Sequence, residues 1–152
     1  MCGILLRSSD NEIDLPRFVA AMRSQEHRGP DDQRIIWRNT DGSVHERDVR
    51  QKSVVFDRGV RTVIGHSRLS ILDLTAASSQ PMLSDGNEYA LAFNGCIYNY
   101  REIRSELEQL GVGCQSTGDA EVLLKALIYW GSDAVKNSMA CGHLFFMTSL
   151  MT

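Results

Sequence analysis

The chain opens on a short apolar run, Cys2-Gly3-Ile4-Leu5-Leu6, closed by Arg7, Ser8, Ser9 and Asp10. This pattern predicts a short buried strand. Asp14 followed by Pro16 predicts a helix start, since Asp caps well and proline is tolerated in a first turn. Phe18, Met22 and the nearby alanines give that helix an apolar face. His27-Arg28-Gly29-Pro30 predicts its stop, because Gly relaxes a C-cap and Pro cannot continue the helix. Ile35-Ile36-Trp37 and Ser53-Val54-Val55-Phe56 predict strands, with the polar segment from Asn39 to Lys52 as an exposed hairpin loop between them. Val60 to His66 alternates as a strand does, and Ser67 to Leu74 is expected to carry it toward a turn at Ser78 to Pro81. Tyr89 to Phe93, then Asn94-Gly95, then Ile97-Tyr98 form a strong hairpin signal. Tyr100 to Leu110 and Ala120 to Tyr129 read as helices, the first ending at Gly111 and the second capped by Asp119. The order predicts one α+β domain with a mostly antiparallel sheet.

Composition narrows the function classes. A length of 152 residues suits one domain with a reasonable core. The net charge of −3 leaves no electrostatic footprint for nucleic acid or an anionic membrane. No run is long enough to span a bilayer, and the apolar start is too short for a signal peptide. Cys2, Cys96, Cys114 and Cys141 show no paired spacing, which suits reduced thiols in a cytoplasmic protein. No His/Cys cluster has zinc-ligand spacing, so no metal is expected.

Met1-Cys2 changes the picture. Removal of Met1 would leave Cys2 with a thiol and a free α-amine, which titrates near ~7.7–8 and acts as a base near neutral pH. An N-terminal nucleophile activated by its own amine is a known catalytic arrangement. The plain alternative is a buried cysteine starting a strand. Likewise His27 to Pro30 alone is a helix stop, Arg68 a surface charge, Asn94-Gly95 a turn and Asp119 a cap.

Five segments occur together: Met1-Cys2-Gly3-Ile4; His27-Arg28-Gly29-Pro30-Asp31-Asp32; Gly65-His66-Ser67-Arg68-Leu69-Ser70-Ile71; Phe93-Asn94-Gly95-Cys96-Ile97-Tyr98-Asn99-Tyr100; and Thr117-Gly118-Asp119-Ala120-Glu121-Val122-Leu123-Leu124. In this order they resemble the glutaminase domain of class II glutamine amidotransferases, nearest to glutamine-hydrolysing asparagine synthetases. The resemblance implies an αββα four-layer N-terminal-nucleophile sandwich. It implies Cys2 as nucleophile and base carrier, with the Asn94 amide and Gly95 N–H as oxyanion donors. It implies that glutamine is held by Arg68, Leu69, Ser70, Ile71 and Leu72, by Asn94, Gly95 and Cys96, and by Asp119. Arg68 would take the α-carboxylate through a planar, bidentate contact and Asp119 the α-ammonium. In the full-length relatives, ammonia passes to a synthetase domain that uses ATP and Mg. No segment here resembles its Ser-Gly-Gly-x-Asp-Ser loop, so no cofactor is expected in this chain, nor asparagine synthesis by it alone. The other reading of the chain is an inactive fragment or a non-catalytic glutamine-binding module.

The departures from the family are specific. Cys96 stands where the family has Glu beside the substrate ammonium, and Gly118 stands where it has Ser, which is expected to loosen the loop holding Asp119. The resemblance runs from residue 1 to Lys136, and residues 137–152 form a non-homologous tail. One reverse translation of Asn137 to Thr152, read from its third base, gives Leu-Asn-Gly-Met-Trp-Ala-Phe-Val-Leu-Tyr-Asp-Lys-Ser-Tyr-Asp, the continuation the family expects. A frameshift near Lys136 is therefore expected, leaving a C-terminally incomplete sandwich with uncovered sheet edges. The apolar tail from Gly142 to Met151 has the composition to lay down a substitute strand.

Overall fold

The computed structural model describes residues 2–51 and 58–148. The strand expected at Ser53 to Phe56 lies outside the described residues. Among the described residues, seven strands and four α-helices run in the order β1 (Gly3–Ser8), α1 (Leu15–Arg23), β2 (Asp32–Asn39), β3 (Val44–Asp48), β4 (Val60–Arg68), β5 (Met82–Leu83), β6 (Tyr89–Ile97), α2 (Tyr100–Gln109), α3 (Asp119–Trp130), α4 (Asp133–Asn137) and β7 (Ala140–Thr148). They form two antiparallel sheets, ordered β1-β4-β2-β3 and β5-β6-β7.

Period-two alternation decides the layering. On the first sheet, Leu5, Ile35, Trp37 and Val63 face α1, where Leu15, Phe18, Val19 and Met22 are buried. Ile4, Leu6, Ile36 and Ile64 point the other way and meet Ala92, Leu83 and Met147 of the second sheet. The second sheet's far face, Leu91, Phe93 and Ile97, packs on Ile103 and Leu107 of α2 and Val122, Leu123 and Leu127 of α3. The layers are thus helix, sheet, sheet, helix: α+β in the expected αββα order. Each large apolar side chain buried this way stabilises the fold by about 1.5–3 kcal/mol.

Local chemistry accounts for α1. The Asp14 carboxylate accepts from the Arg17 N–H at 3.0 Å, and Pro16 sits in the first turn. The helix ends at Arg23, earlier than expected, and a short 3₁₀ turn at Glu26–Arg28 fills the gap to Gly29.

Four further expectations need correction. The polar segment after Asn39 is not all loop: β3 pairs in register with β2, Trp37 opposite His45, which stacks on it at 5.2 Å. The strand through His66 stops at Arg68, and residues 69–75 form a loop. Asn94-Gly95 is not a hairpin turn, because β6 runs straight through it and pairs with β7 on one side. Asp119 is not the cap of α3: Gly118 holds that position and Asp119 is the first helical residue. The tail supplies the strand beside β6. Leu144 and Phe146 pack toward α2 and α3, with Phe146 stacked on Tyr89 at 5.7 Å.

Candidate active site

One cavity of about 440 Å³ opens at an end of the layer between the sheets. That size lies within the ~300–1,000 Å³ usual for small-molecule sites. The same alternation that builds the core aims side chains into it. Ile64 faces the second sheet, and so do His66 and then Arg68 at the end of β4. Ile4 does likewise on β1, with Cys2 just before it. On β6 the series Ala92, Asn94, Cys96 shares that face, and their β7 partners opposite are His143 for Asn94 and Cys141 for Cys96. Asp119 arrives from the N-terminus of α3. Cys2, Arg68, Leu69, Ser70, Ile71, Leu72, Asn94, Gly95, Cys96 and Asp119 all line this cavity, so the expected site residues converge on one place.

Cys2 is half-buried, and its Sγ accepts from the Leu69 N–H at 3.3 Å. The Arg28 guanidinium donates to the Cys2 carbonyl at 3.3 Å. The nucleophile candidate is therefore tied to the loop after Arg68. Ile71 is 78% exposed, so the middle of that loop forms the outer lip of the cavity.

The ladder determines where the Gly95 N–H points. The Tyr98 N–H donates to the Met139 carbonyl at 2.8 Å, which makes that pair hydrogen-bonded. Alternation then turns the Cys96 and Asn94 N–H groups toward β7 and the odd-numbered ones away. The neighbours agree: the Phe93 N–H donates to Gln80 Oε1 at 2.6 Å and the Ile97 N–H to Asp119 Oδ2 at 3.0 Å. Gly95 lies between them, beyond the end of β5, and its N–H is left unclaimed by the sheet. A Cβ here would meet the Cys141 carbonyl oxygen at 2.2 Å and the Phe93 ring at 2.6 Å, so only glycine fits.

Electrostatics separate the two acidic neighbours. Burial pushes the Asp119 carboxyl above its usual value, against the lowering effect of the Ile97 N–H. Asp73 is held well below the ordinary carboxylate range, chiefly by the Thr75 hydroxyl. It accepts from Thr75 N–H and Oγ1, both at 2.7 Å, and from Thr117 N–H and Oγ1 at 2.8 and 3.0 Å. It thereby clasps the loop after Arg68 to the loop before Asp119. The Arg68 guanidinium donates to the Thr75 carbonyl at 3.0 Å and to the Asp73 carbonyl. Glu121, third in α3, reaches back to the Gln115 and Ser116 N–H groups and pairs with Lys125 at 3.1 Å. Gly118 is not simply a looser substitute for serine, since a Cβ there would stand 2.8 Å from Ser78 Oγ.

The sequence reading missed Asp73, Gln80, Cys141 and His143. Asp73 had a local signal, the Asx-type spacing Asp73-x-Thr75. The other three depend on pairing across long stretches of chain. Among the described residues no cluster of His, Cys, Asp or Glu could hold a metal, and no helix is long and apolar enough to cross a membrane.

A family model described as a glutamine amidotransferase domain matches residues 42–146. The chain belongs to this family. The match extends past Lys136 and through most of β7. The amidotransferase domain is also 36% identical over 149 residues to a Mycobacterium bovis protein named as a candidate glutamine-hydrolysing asparagine synthetase. That match covers 90% of this chain and 20% of the relative. Asparagine synthetase 1 (glutamine-hydrolysing) of Bacillus subtilis is 34% identical over 71% of the chain and 14% of its own length. The chain therefore spans about a fifth or less of these relatives. Among solved structures, the glutamine phosphoribosylpyrophosphate amidotransferase of B. subtilis superposes with a TM-score of 0.72. It covers 97% of this chain and 35% of that one at 19% identity, a likeness of fold.

Proposed function

We propose that this domain hydrolyses glutamine through a thioester on Cys2 and releases ammonia. The Cys2 α-amine, free once Met1 is removed, takes the thiol proton, and the thiolate attacks the side-chain amide carbon. The oxyanion forms between the Asn94 amide and the Gly95 N–H. The amine returns the proton to the leaving nitrogen, ammonia departs, and water hydrolyses the thioester to glutamate. Arg68 holds the substrate carboxylate and Asp119 its ammonium. No step draws on a cofactor or metal. What supports this reading is the convergence of Cys2, Arg68, Asn94, Gly95 and Asp119 on one cavity, together with a sheet register that turns the Gly95 N–H away from β7.

The test is glutamine-dependent ammonia release by the purified, Met-processed chain beside Cys2→Ala. Activity in the first and its loss in the second are expected. Equal release by both sinks the assignment. Losing one oxyanion donor typically costs about 10²–10³ in rate, the size expected for Asn94→Ala.

The second reading, a non-catalytic glutamine binder, is favoured by Arg68 and Cys96. Two of the Arg68 donors are already engaged by loop carbonyls, and the position beside Gly95 lacks an acid. An electrophilic glutamine analogue separates the readings, since only a competent Cys2 becomes labelled. In the longer relatives' setting, we infer, the ammonia serves a synthetase domain or subunit. A frameshifted origin of residues 137–152 belongs to the same proposal, and the DNA around the Lys136 codon tests it.

A further inference from the structure

Three of the four cysteines, Cys2, Cys96 and Cys141, line one cavity, and only Cys2 has a part in the proposed chemistry. The other two face each other. Cys96 on β6 is the register partner of Cys141 on β7, so their side chains leave the sheet on the same face. Tyr98, just past the end of β6, shares a hydrogen bond with Cys141 Sγ at 3.2 Å. Opposed residues in a hydrogen-bonded antiparallel pair have Cα atoms about 5.5 Å apart. Disulfides prefer Cα separations of about 5.5–6 Å.

We infer that Cys96 and Cys141 are a redox pair, closed by a peroxide into a cross-strand disulfide that fastens β7 to β6 at the cavity mouth. Cys141 is exposed and is the thiol a peroxide reaches first. Its thiolate attacks one peroxide oxygen, the O–O bond breaks, and hydroxide leaves. The resulting sulfenic acid is attacked by the Cys96 sulfur, the S–O bond breaks, and water leaves with the Cys96 proton. In sum, two thiols and one hydrogen peroxide become one disulfide and two waters. Cys96 suits the resolving role: burial, Asp119 and Cys141 together push its thiol up, so it is slower to meet oxidant on its own. Opposed Cβ atoms in such ladders lie about 4.5–5.5 Å apart, wider than the ~3.8 Å of relaxed disulfides. The bridge is therefore readily reduced again, as exposed and strained disulfides are.

This inference stands apart from the glutaminase reading, because its test counts sulfur bonds and not ammonia. The folded 152-residue chain is treated with stoichiometric hydrogen peroxide, blocked with N-ethylmaleimide and mapped by peptide mass. The expected main product is a Cys96–Cys141 linked pair, two hydrogens lighter and reversed by dithiothreitol. Cys114→Ser keeps that product and Cys141→Ser removes it. In urea, linkages scatter among the four cysteines. Recovery of Cys96 and Cys141 both as maleimide adducts, with the circular dichroism unchanged, overturns the inference. So does a main linkage from Cys96 to Cys2 or Cys114.

Discussion

His66 lies between the two sheets with no solvent exposure, and its Nε2–H donates to the Phe93 carbonyl at 3.1 Å, one residue before Asn94. Burial is the main reason its pKa falls from 6.5 to about 4, against the raising effect of that hydrogen bond. Below pH 6.5 the unfolded chain takes up a proton that the fold refuses, so this contribution is full above 6.5 and shrinks as pH falls toward 4. The expected loss is roughly 2 kcal/mol by about pH 5. Urea midpoints at neutral and mildly acidic pH check it, and His66→Gln should flatten the difference. Gly95→Ala is a steric probe: its methyl meets the Cys141 carbonyl, so β6 and β7 must part. A cost of about 1–3 kcal/mol is expected in the denaturant midpoint, together with loss of ammonia release. Legibility at this scale followed chemistry. Cys2, Arg68, Asn94, Gly95 and Asp119, which line one cavity, stand out in the sequence because each carries a distinctive group in a distinctive segment, and their roles belong to the proposal. Asp73 was not, because its importance lies in joining Thr75 to Thr117, which are far apart in sequence.

At the level of elements, the clasp made by Asp73 joins the loop after Arg68 to the loop before Asp119, the two halves of the proposed glutamine site. Asp73→Asn keeps the shape but removes the charge from four hydrogen bonds. Hydrogen bonds to charged groups contribute about 1.5–3 kcal/mol each. Loosening the clasp is therefore expected to raise the glutamine KM about tenfold or more, with a smaller change in kcat. A fall in kcat at unchanged KM would assign Asp73 to the chemistry instead. The helix α2 and the strand β4 were legible from periodicity, α1 from its cap, Pro16 and apolar face, β2 from its apolar run, and β6 as far as Phe93. Asn94-Gly95 was misread because a two-residue Asn-Gly step marks both a tight turn and a place where backbone must approach backbone. The decision between them rests on β7, which begins at Ala140, and no local pattern around residue 94 reports it. The short β3 was hidden for a similar reason: Val44-His45-Glu46-Arg47-Asp48 is polar enough to read as loop, and only pairing with β2 makes it a strand.

For the molecule as a whole, two of the four edge strands among the described residues, β3 and β7, differ. The β3 edge carries Glu46, Arg47 and Asp48, the kind of charge that discourages further pairing. From Ala140 to Thr148 the β7 edge carries no Asp, Glu, Lys or Arg, and Phe145 on it is 41% exposed. Concentration-dependent self-association is expected, visible in light scattering, and Phe145→Lys should suppress it. A strictly monomeric mass at every concentration would show the edge to be protected. The β7 strand also has a bearing on time. All of β1 to β4 and α1 precede residue 69, whereas the wall formed by Cys141, Gly142 and His143 comes some seventy residues later. During synthesis from the N-terminus, the first sheet can assemble while the cavity still has one side missing. Pairing β7 with β6 must then close a long intervening chain before any contact rewards it. The cavity around Cys2 thus gains its last wall only when β7 pairs with β6. Until then the side of the cavity that Cys141, Gly142 and His143 supply stands open.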